Sequence, residues 1–150
     1  MKKVFLVLSG LLMAFTGSAQ MTKDPTDWKV EVRKGAAGHY TVLYHLALKP
    51  GWHIWALKPG GDGLQVSTRF SSNGKTGIKS TGGVQEITRP TTTTMEGVDG
   101  KVSYYADKAE FRQDVVGGRG QSVITVVEYQ PCNDKMCLPP KKLPLTIILP

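Results

Sequence analysis

The sequence predicts an all-β protein, an antiparallel β-sandwich, on three observations. Apolar and polar residues alternate with period two through most of the chain, no stretch sustains a helical period, and seven or eight short segments are separated by glycine- and proline-rich breaks. One face of each strand is then buried and the other wet, the pattern of sheets packed face to face.

The first strand is expected around Trp28–Arg33, where Trp28, Val30 and Val32 share one face and Lys29, Glu31 and Arg33 the other. After the turn Gly35-Ala36-Ala37-Gly38, the residues Tyr40, Val42, Tyr44, Leu46 and Leu48 repeat the alternation. Lys49-Pro50-Gly51 punctuates, and a short aromatic piece, Trp52-His53-Ile54-Trp55, follows. Leu57–Gly63 holds four glycine or proline residues and reads as a loop. Val66, Thr68 and Phe70 form a short strand before a predicted turn at Ser71-Ser72-Asn73-Gly74. Ile78–Ile87 reads as extended, interrupted by Gly82-Gly83, and Arg89–Gly100 as a Thr-rich loop without a pattern of its own. Lys101–Tyr105 and Glu110–Val115 are further strands, separated by Ala106-Asp107-Lys108. Ser122–Tyr129 is β-branched almost throughout, and the last strand, Leu143–Leu149, places Leu143, Leu145, Ile147 and Leu149 on one side.

The 150 residues allow one ordinary domain. The first part stands outside it: Met1-Lys2-Lys3 is basic, Val4–Phe15 is almost wholly apolar, and Gly17-Ser18-Ala19 is small. That order predicts a secretory signal peptide over residues 1–19, cleaved near Ala19, and a single exported domain over 20–150. The apolar run falls short of the ~20 residues of a membrane span, so the mature form is not expected to cross a membrane. Without Lys2 and Lys3 the formal charge falls from +7 to +5. The remaining basic residues are scattered, with Arg33-Lys34 and Lys141-Lys142 the adjacent pairs, so there is no concentrated basic stripe for nucleic acid.

Cys132 and Cys137 are the only cysteines, in Tyr129-Gln130-Pro131-Cys132-Asn133-Asp134-Lys135-Met136-Cys137-Leu138-Pro139-Pro140. They lie between the strands expected at Ser122–Tyr129 and Leu143–Leu149, in a hairpin-like connection. An even count in an exported chain points to a disulfide, and four intervening residues allow the chain to turn back far enough to form one. A loop of about six residues contributes only ~2 kcal/mol as a staple, and such a local pair can open without unfolding a domain. The spacing itself fits either a staple or a redox pair. Two thiols alone do not complete a closed zinc site, and no metal or cofactor is expected.

The run Tyr-Gln-Pro-Cys…Cys-Leu-Pro-Pro, followed by a short terminal strand, resembles the N-terminal (alpha) domain of the thiol:disulfide interchange protein DsbD family. Gly51-Trp52-His53-Ile54-Trp55 is similar to that family's glycine-aromatic strand, and Met95–Asp114 to its loop-then-hairpin. The resemblance implies an immunoglobulin-like sandwich in the periplasm. It implies a domain that takes electrons from a membrane electron transporter by way of a thioredoxin-like donor domain, and hands them to oxidised periplasmic thiol proteins. It also implies that Cys137 attacks the target disulfide while Cys132 resolves the mixed disulfide.

Further roles follow from the same resemblance. The family's shielding cap loop corresponds to Thr93-Thr94-Met95-Glu96-Gly97, with Met95 where an aromatic would stand. A thioether covers a disulfide less rigidly than a ring. His53 and Trp55 match positions near the family's cysteines, and Tyr129 opens the cysteine motif as a further near-site candidate. His53 is a candidate proton acceptor or a structural hydrogen-bonding residue. Lys135, Lys141 and Lys142 are candidates for favouring a thiolate. Known members continue into transmembrane and thioredoxin-like domains, so an electron source in a separate protein is expected for a chain ending at Pro150.

Two functions compete: a thiol-disulfide relay module, and a non-catalytic immunoglobulin-like binding or assembly domain with a structural local disulfide. The reduction potential of the pair separates them.

Overall fold

The structure is a computed structural model that describes residues 23–73 and 77–150. The predicted signal peptide, residues 1–19, lies outside the described residues, as does Gly74 of the predicted turn. The described chain forms twelve strands and no helix: β1 (Thr26–Lys34), β2 (His39–Leu48), β3 (His53–Gly60), β4 (Arg69–Asn73), β5 (Lys79–Ser80), β6 (Gln85–Glu86), β7 (Thr91–Thr94), β8 (Lys101–Ala106), β9 (Lys108–Val116), β10 (Ser122–Tyr129), β11 (Pro131–Cys132) and β12 (Lys141–Ile148). All pairings are antiparallel.

One sheet runs β1-β2-β9-β5, with β6 also on β9. A second is β12-β10-β4 and a third β11-β3-β8-β7. Inward residues of all three meet in one core: Trp28, Tyr44 and Phe111 from the first, Val127, Tyr129 and Ile147 from the second, and Ile54, Ala56 and Tyr105 from the third. Trp28 stacks on Phe111 at 5.9 Å and meets Phe70 edge-on at 6.0 Å. Full burial of each large apolar side chain stabilises by ~1.5–3 kcal/mol, so this core outweighs anything a six-residue disulfide loop supplies. The architecture is an antiparallel sandwich, as the alternation predicts, and an immunoglobulin-like one, as the family resemblance implies.

The alternation locates the main strands well. Tyr40, Val42, Tyr44, Leu46 and Leu48 are all buried, and Lys29, Glu31 and Arg33 are exposed. The strands expected around Lys101–Tyr105 and Glu110–Val115 meet at one residue, Asp107, whose φ of 60° is left-handed. Its carbonyl accepts from Leu48 N–H at 2.7 Å as the chain passes from the third sheet to the first.

Three predicted irregular segments are more ordered than expected. The Thr-rich segment is strand β7, paired to β8 with Thr93 opposite Val102. Threonine is β-branched, and a ladder partner is enough to hold it extended without apolar alternation. The predicted Leu57–Gly63 loop begins as the end of β3, which reaches Gly60 through an irregularity after Trp55. Gly60 has φ +72°, and a Cβ there would lie 2.6 Å from the Lys101 carbonyl oxygen, so the site demands glycine. The predicted turn at Ser71-Ser72-Asn73 is instead β4 strand, paired with Ile124–Val126 of β10. Ile78–Ile87 becomes two short strands on β9, one on each side of Gly82-Gly83.

Candidate redox site

The third sheet has two working faces. Alternation along β3 turns Ile54 and Ala56 into the main core and leaves His53 and Trp55 on the opposite side. Along β8, Tyr105 enters the core while Val102 and Tyr104 stand on the outer face. Strand β11 joins this sheet in the register Pro131↔Ile54 and Cys132↔His53. Residues directly opposite each other share a face, so Cys132 rises beside His53. Trp55, Val102 and Cys132 form a second small buried cluster, with Met95, Val98 and Tyr104 packed against it.

The predicted hairpin-like connection has more structure than a loop. Strands β10 and β12 pair along their whole length, Ser122 opposite Ile148 and Tyr129 opposite Lys141. Between them the chain leaves that sheet to place β11 on β3. Beyond β11, Thr68 takes over the edge of β3, its N–H donating to the Ala56 carbonyl at 3.2 Å and its buried hydroxyl to the Trp55 carbonyl at 2.5 Å.

Cys132 and Cys137 are joined by a disulfide, with Cα atoms 4.0 Å apart. The two ends differ in exposure. Cys132 is 1% exposed, whereas Cys137 and its neighbours Asp134, Lys135 and Met136 are at the surface. Met95 lies just past β7, where the chain turns back through Gly97 and Gly100 into β8, and its carbonyl accepts from Val98 N–H at 3.2 Å. The predicted cap segment is thus a hairpin tip, and the residue that reaches the cluster is Met95. Thr94, Glu96 and Gly97 are exposed. Met95, His53 and Tyr104 also line a shallow cavity of about 170 Å³ with Gly51, Trp52, Ala106 and Asp134.

His53 is half-buried, and its ring packs 5.1 Å from Trp55 and 5.0 Å from Tyr104. Its Nε2 is buried without a hydrogen-bond partner among the described residues. Burial holds the imidazole pKa below the ordinary histidine value, and the negative charge of Asp134 opposes that only in part.

Tyr129 is not brought to the disulfide. Its ring lies 5.5 Å from Trp28 in the main core, and its hydroxyl donates to Asp24 Oδ2 at 2.8 Å and lies 2.9 Å from Thr26 Oγ1. Burial, with Asp24 adding to it, pushes the phenol up to about 12. Two of the candidate lysines are engaged elsewhere: Lys141 with Asp24 at 3.1 Å and Lys142 with Glu128 at 3.9 Å.

Sequence reading missed Tyr104, Val102 and Val98 as site residues. Tyr104 and Val102 carried a signal, since they alternate with the core residue Tyr105. What hid them was the need for a sheet with a second covered face.

Fold and site together define a domain fitted for thiol-disulfide exchange: a sandwich carrying one local disulfide at its surface, half sheltered and half open. The chain belongs to the family described as "Thiol:disulfide interchange protein DsbD, N-terminal", whose model matches residues 18–146. Among solved structures it is similar to the N-terminal periplasmic domain of ScsB from Proteus mirabilis, with TM-score 0.64 and 16% identity, over 84% of this chain and 47% of that one. It thus spans about half the length of that structure. It is also similar to the Neisseria meningitidis DsbD N-terminal domain in the reduced form, with TM-score 0.55 and 15% identity, over 81% of this chain and 84% of that one. At these identities the structures speak for the fold alone. Comparison with curated protein sequences gives no match. Among the described residues no helix is long and apolar enough to cross a membrane.

Proposed function

We propose that this domain, exported by a signal peptide over residues 1–19 and occupying residues 20–150, relays reducing equivalents in the periplasm through a reversible Cys132–Cys137 disulfide. A thioredoxin-like donor, fed by a membrane electron transporter, supplies the electrons, and oxidised periplasmic thiol proteins receive them. The observation that carries the reading is the asymmetry of the pair, one cysteine buried and the other exposed on a surface turn.

The chemistry follows from that asymmetry. A donor thiolate attacks the accessible Cys137 Sγ, the Cys132–Cys137 bond breaks, and its electron pair leaves on Cys132, which takes a proton from solvent. A second donor thiolate attacks the donor's own sulfur in the mixed disulfide and frees Cys137 as a thiolate. The donor ends as a disulfide and the domain as a dithiol, two electrons having moved. Toward a client the order reverses: Cys137 thiolate attacks the client disulfide, and Cys132 resolves the mixed disulfide and releases the client as a dithiol. Met95 covers the Cys132 side and restricts approach to Cys137.

Redox titration of the exported domain against dithiol couples at neutral pH tests the reading. A relay titrates among protein thiol partners, at about −180 to −270 mV, whereas an inert staple lies below about −300 mV. A Cys132→Ser variant, unable to resolve, is expected to accumulate mixed disulfides through Cys137 with its partners in a periplasmic extract.

A further inference from the structure

Building on this exchange reading, we propose that Asn133 is a positioning residue for the reaction: its side-chain oxygen closes the turn that keeps Cys137 opposite Cys132 when the disulfide is open.

Two main-chain hydrogen bonds flank the cysteines. Leu138 N–H donates to the Pro131 carbonyl at 2.8 Å, and Asn133 N–H donates to the Met136 carbonyl at 2.9 Å. Between them Cys132 and Cys137 form an antiparallel bridge pair. With bonds on both sides and none between its members, this is the narrow type of pair, in which Cα atoms stand ~4.5 Å apart without any covalent link. The observed separation is 4.0 Å. The ladder geometry thus favours a Cα separation close to the one the disulfide adopts.

Such a register needs a turn of only two residues, Asp134 and Lys135. Two-residue hairpin turns ordinarily rely on left-handed φ, hence on glycine or asparagine at the centre. Neither central residue adopts it, since Asp107 is the one non-glycine with positive φ among the described residues. Asn133 supplies another closure. Its Oδ1 accepts from Lys135 N–H and from Met136 N–H, each at 2.9 Å, doing for the turn what a main-chain carbonyl does elsewhere. Among the described residues no other side chain between the cysteines bonds to this turn.

The consequence falls on the resolving step. With Cys137 bound to a partner sulfur, Cys132 thiolate attacks Cys137 Sγ. The intramolecular bond forms, the bond to the partner breaks, and the electron pair leaves on the partner sulfur, which takes up a proton. The rate of an intramolecular step scales with the fraction of time the reacting atoms are held in attack geometry. Asn133 sets that fraction.

The test compares the wild-type domain with Asn133→Ala and Asn133→Asp, using glutathione as the thiol probe. For Asn133→Ala the equilibrium shifts toward the dithiol by roughly tenfold, or about 30 mV for a two-electron couple. The lifetime of the glutathione adduct on Cys137 lengthens in proportion. Asn133→Asp keeps an acceptor oxygen and recovers most of both losses. Urea unfolding of oxidised and reduced forms is read alongside. If Asn133→Ala destabilises both forms equally, the potential does not move, the residue is merely structural, and the assignment is overturned. Asn133→Asp behaving like Asn133→Ala overturns it too. A wild-type disulfide inert to dithiols defeats the exchange reading, whereas a reactive wild type with an indifferent Asn133→Ala defeats only this assignment.

Discussion

Cys132 stands opposite His53 in the short ladder between β11 and β3, so a sulfur and an imidazole share the outward face of one sheet. His53 Nε2 is buried there with no partner among the described residues, and its ring packs against those of Trp55 and Tyr104. That setting favours the neutral imidazole over the imidazolium.

The first prediction concerns pH. Burial lowers the folded-state pKa of His53, so as pH falls below the unfolded value of about 6.5 the unfolded chain takes up a proton that the folded domain refuses. Stability therefore declines as pH drops through the window between the unfolded and folded values, and it is fully retained above it. In His53→Phe that part of the decline disappears. Urea midpoints measured from about pH 8 down to about pH 5 read the difference, and parallel curves for the two proteins would refute the assignment.

Reducing the disulfide should leave the domain folded. The chain-entropy contribution of a six-residue loop is ~2 kcal/mol at most, and the turn retains its own hydrogen bonds. The expected result is one cooperative unfolding transition with and without dithiol, the reduced form less stable by about 2 kcal/mol or less. Loss of cooperativity on reduction would mean that the bond is needed to hold the sandwich together.

Met95 packs against the cluster that holds Cys132, while Cys137 is exposed, and the shielding role proposed for Met95 is testable. A change of about 1 kcal/mol in the cover over Cys132 alters a population roughly fivefold. In the wild type the first glutathione adduct should form almost wholly on Cys137. Met95→Ala should raise the share on Cys132 about fivefold, while Met95→Phe should not. Peptide mapping of the trapped adducts gives the ratio, and an unchanged ratio in Met95→Ala removes the shielding role.

Tyr129 tests the opposite case, a residue adjacent to the motif in sequence but turned away from it in space. Removing its hydroxyl costs the hydrogen bond to Asp24, about 1–3 kcal/mol for a charged acceptor. Tyr129→Phe should therefore lower the urea midpoint and leave the reduction potential and exchange rate at wild-type values. A change in potential would show that the ring reaches the disulfide.

Much of this molecule was legible before folding was considered. Period-two alternation marks Trp28–Arg33, Tyr40–Leu48 and Leu143–Leu149 because each of these strands turns one apolar face toward the large core, and Ser122–Tyr129 stands out by its β-branched residues. The cysteine spacing was equally direct, since four intervening residues suit a local disulfide. The Thr91–Thr94 strand was not legible: its extended form comes from the ladder offered by β8, and an exposed edge strand needs no apolar period.

The chain alone thus determined an all-β sandwich and one local cysteine pair, because both are set by spacing along the backbone. Only the tertiary structure decided which sulfur is sheltered and by what. Cys132 gains its cover when β11 docks on β3 and the tip of the β7–β8 hairpin brings Met95 over from 37 positions upstream. Tyr129, three residues from Cys132, turns into the core instead. Such neighbours depend on strand order and sheet face, which no local pattern encodes.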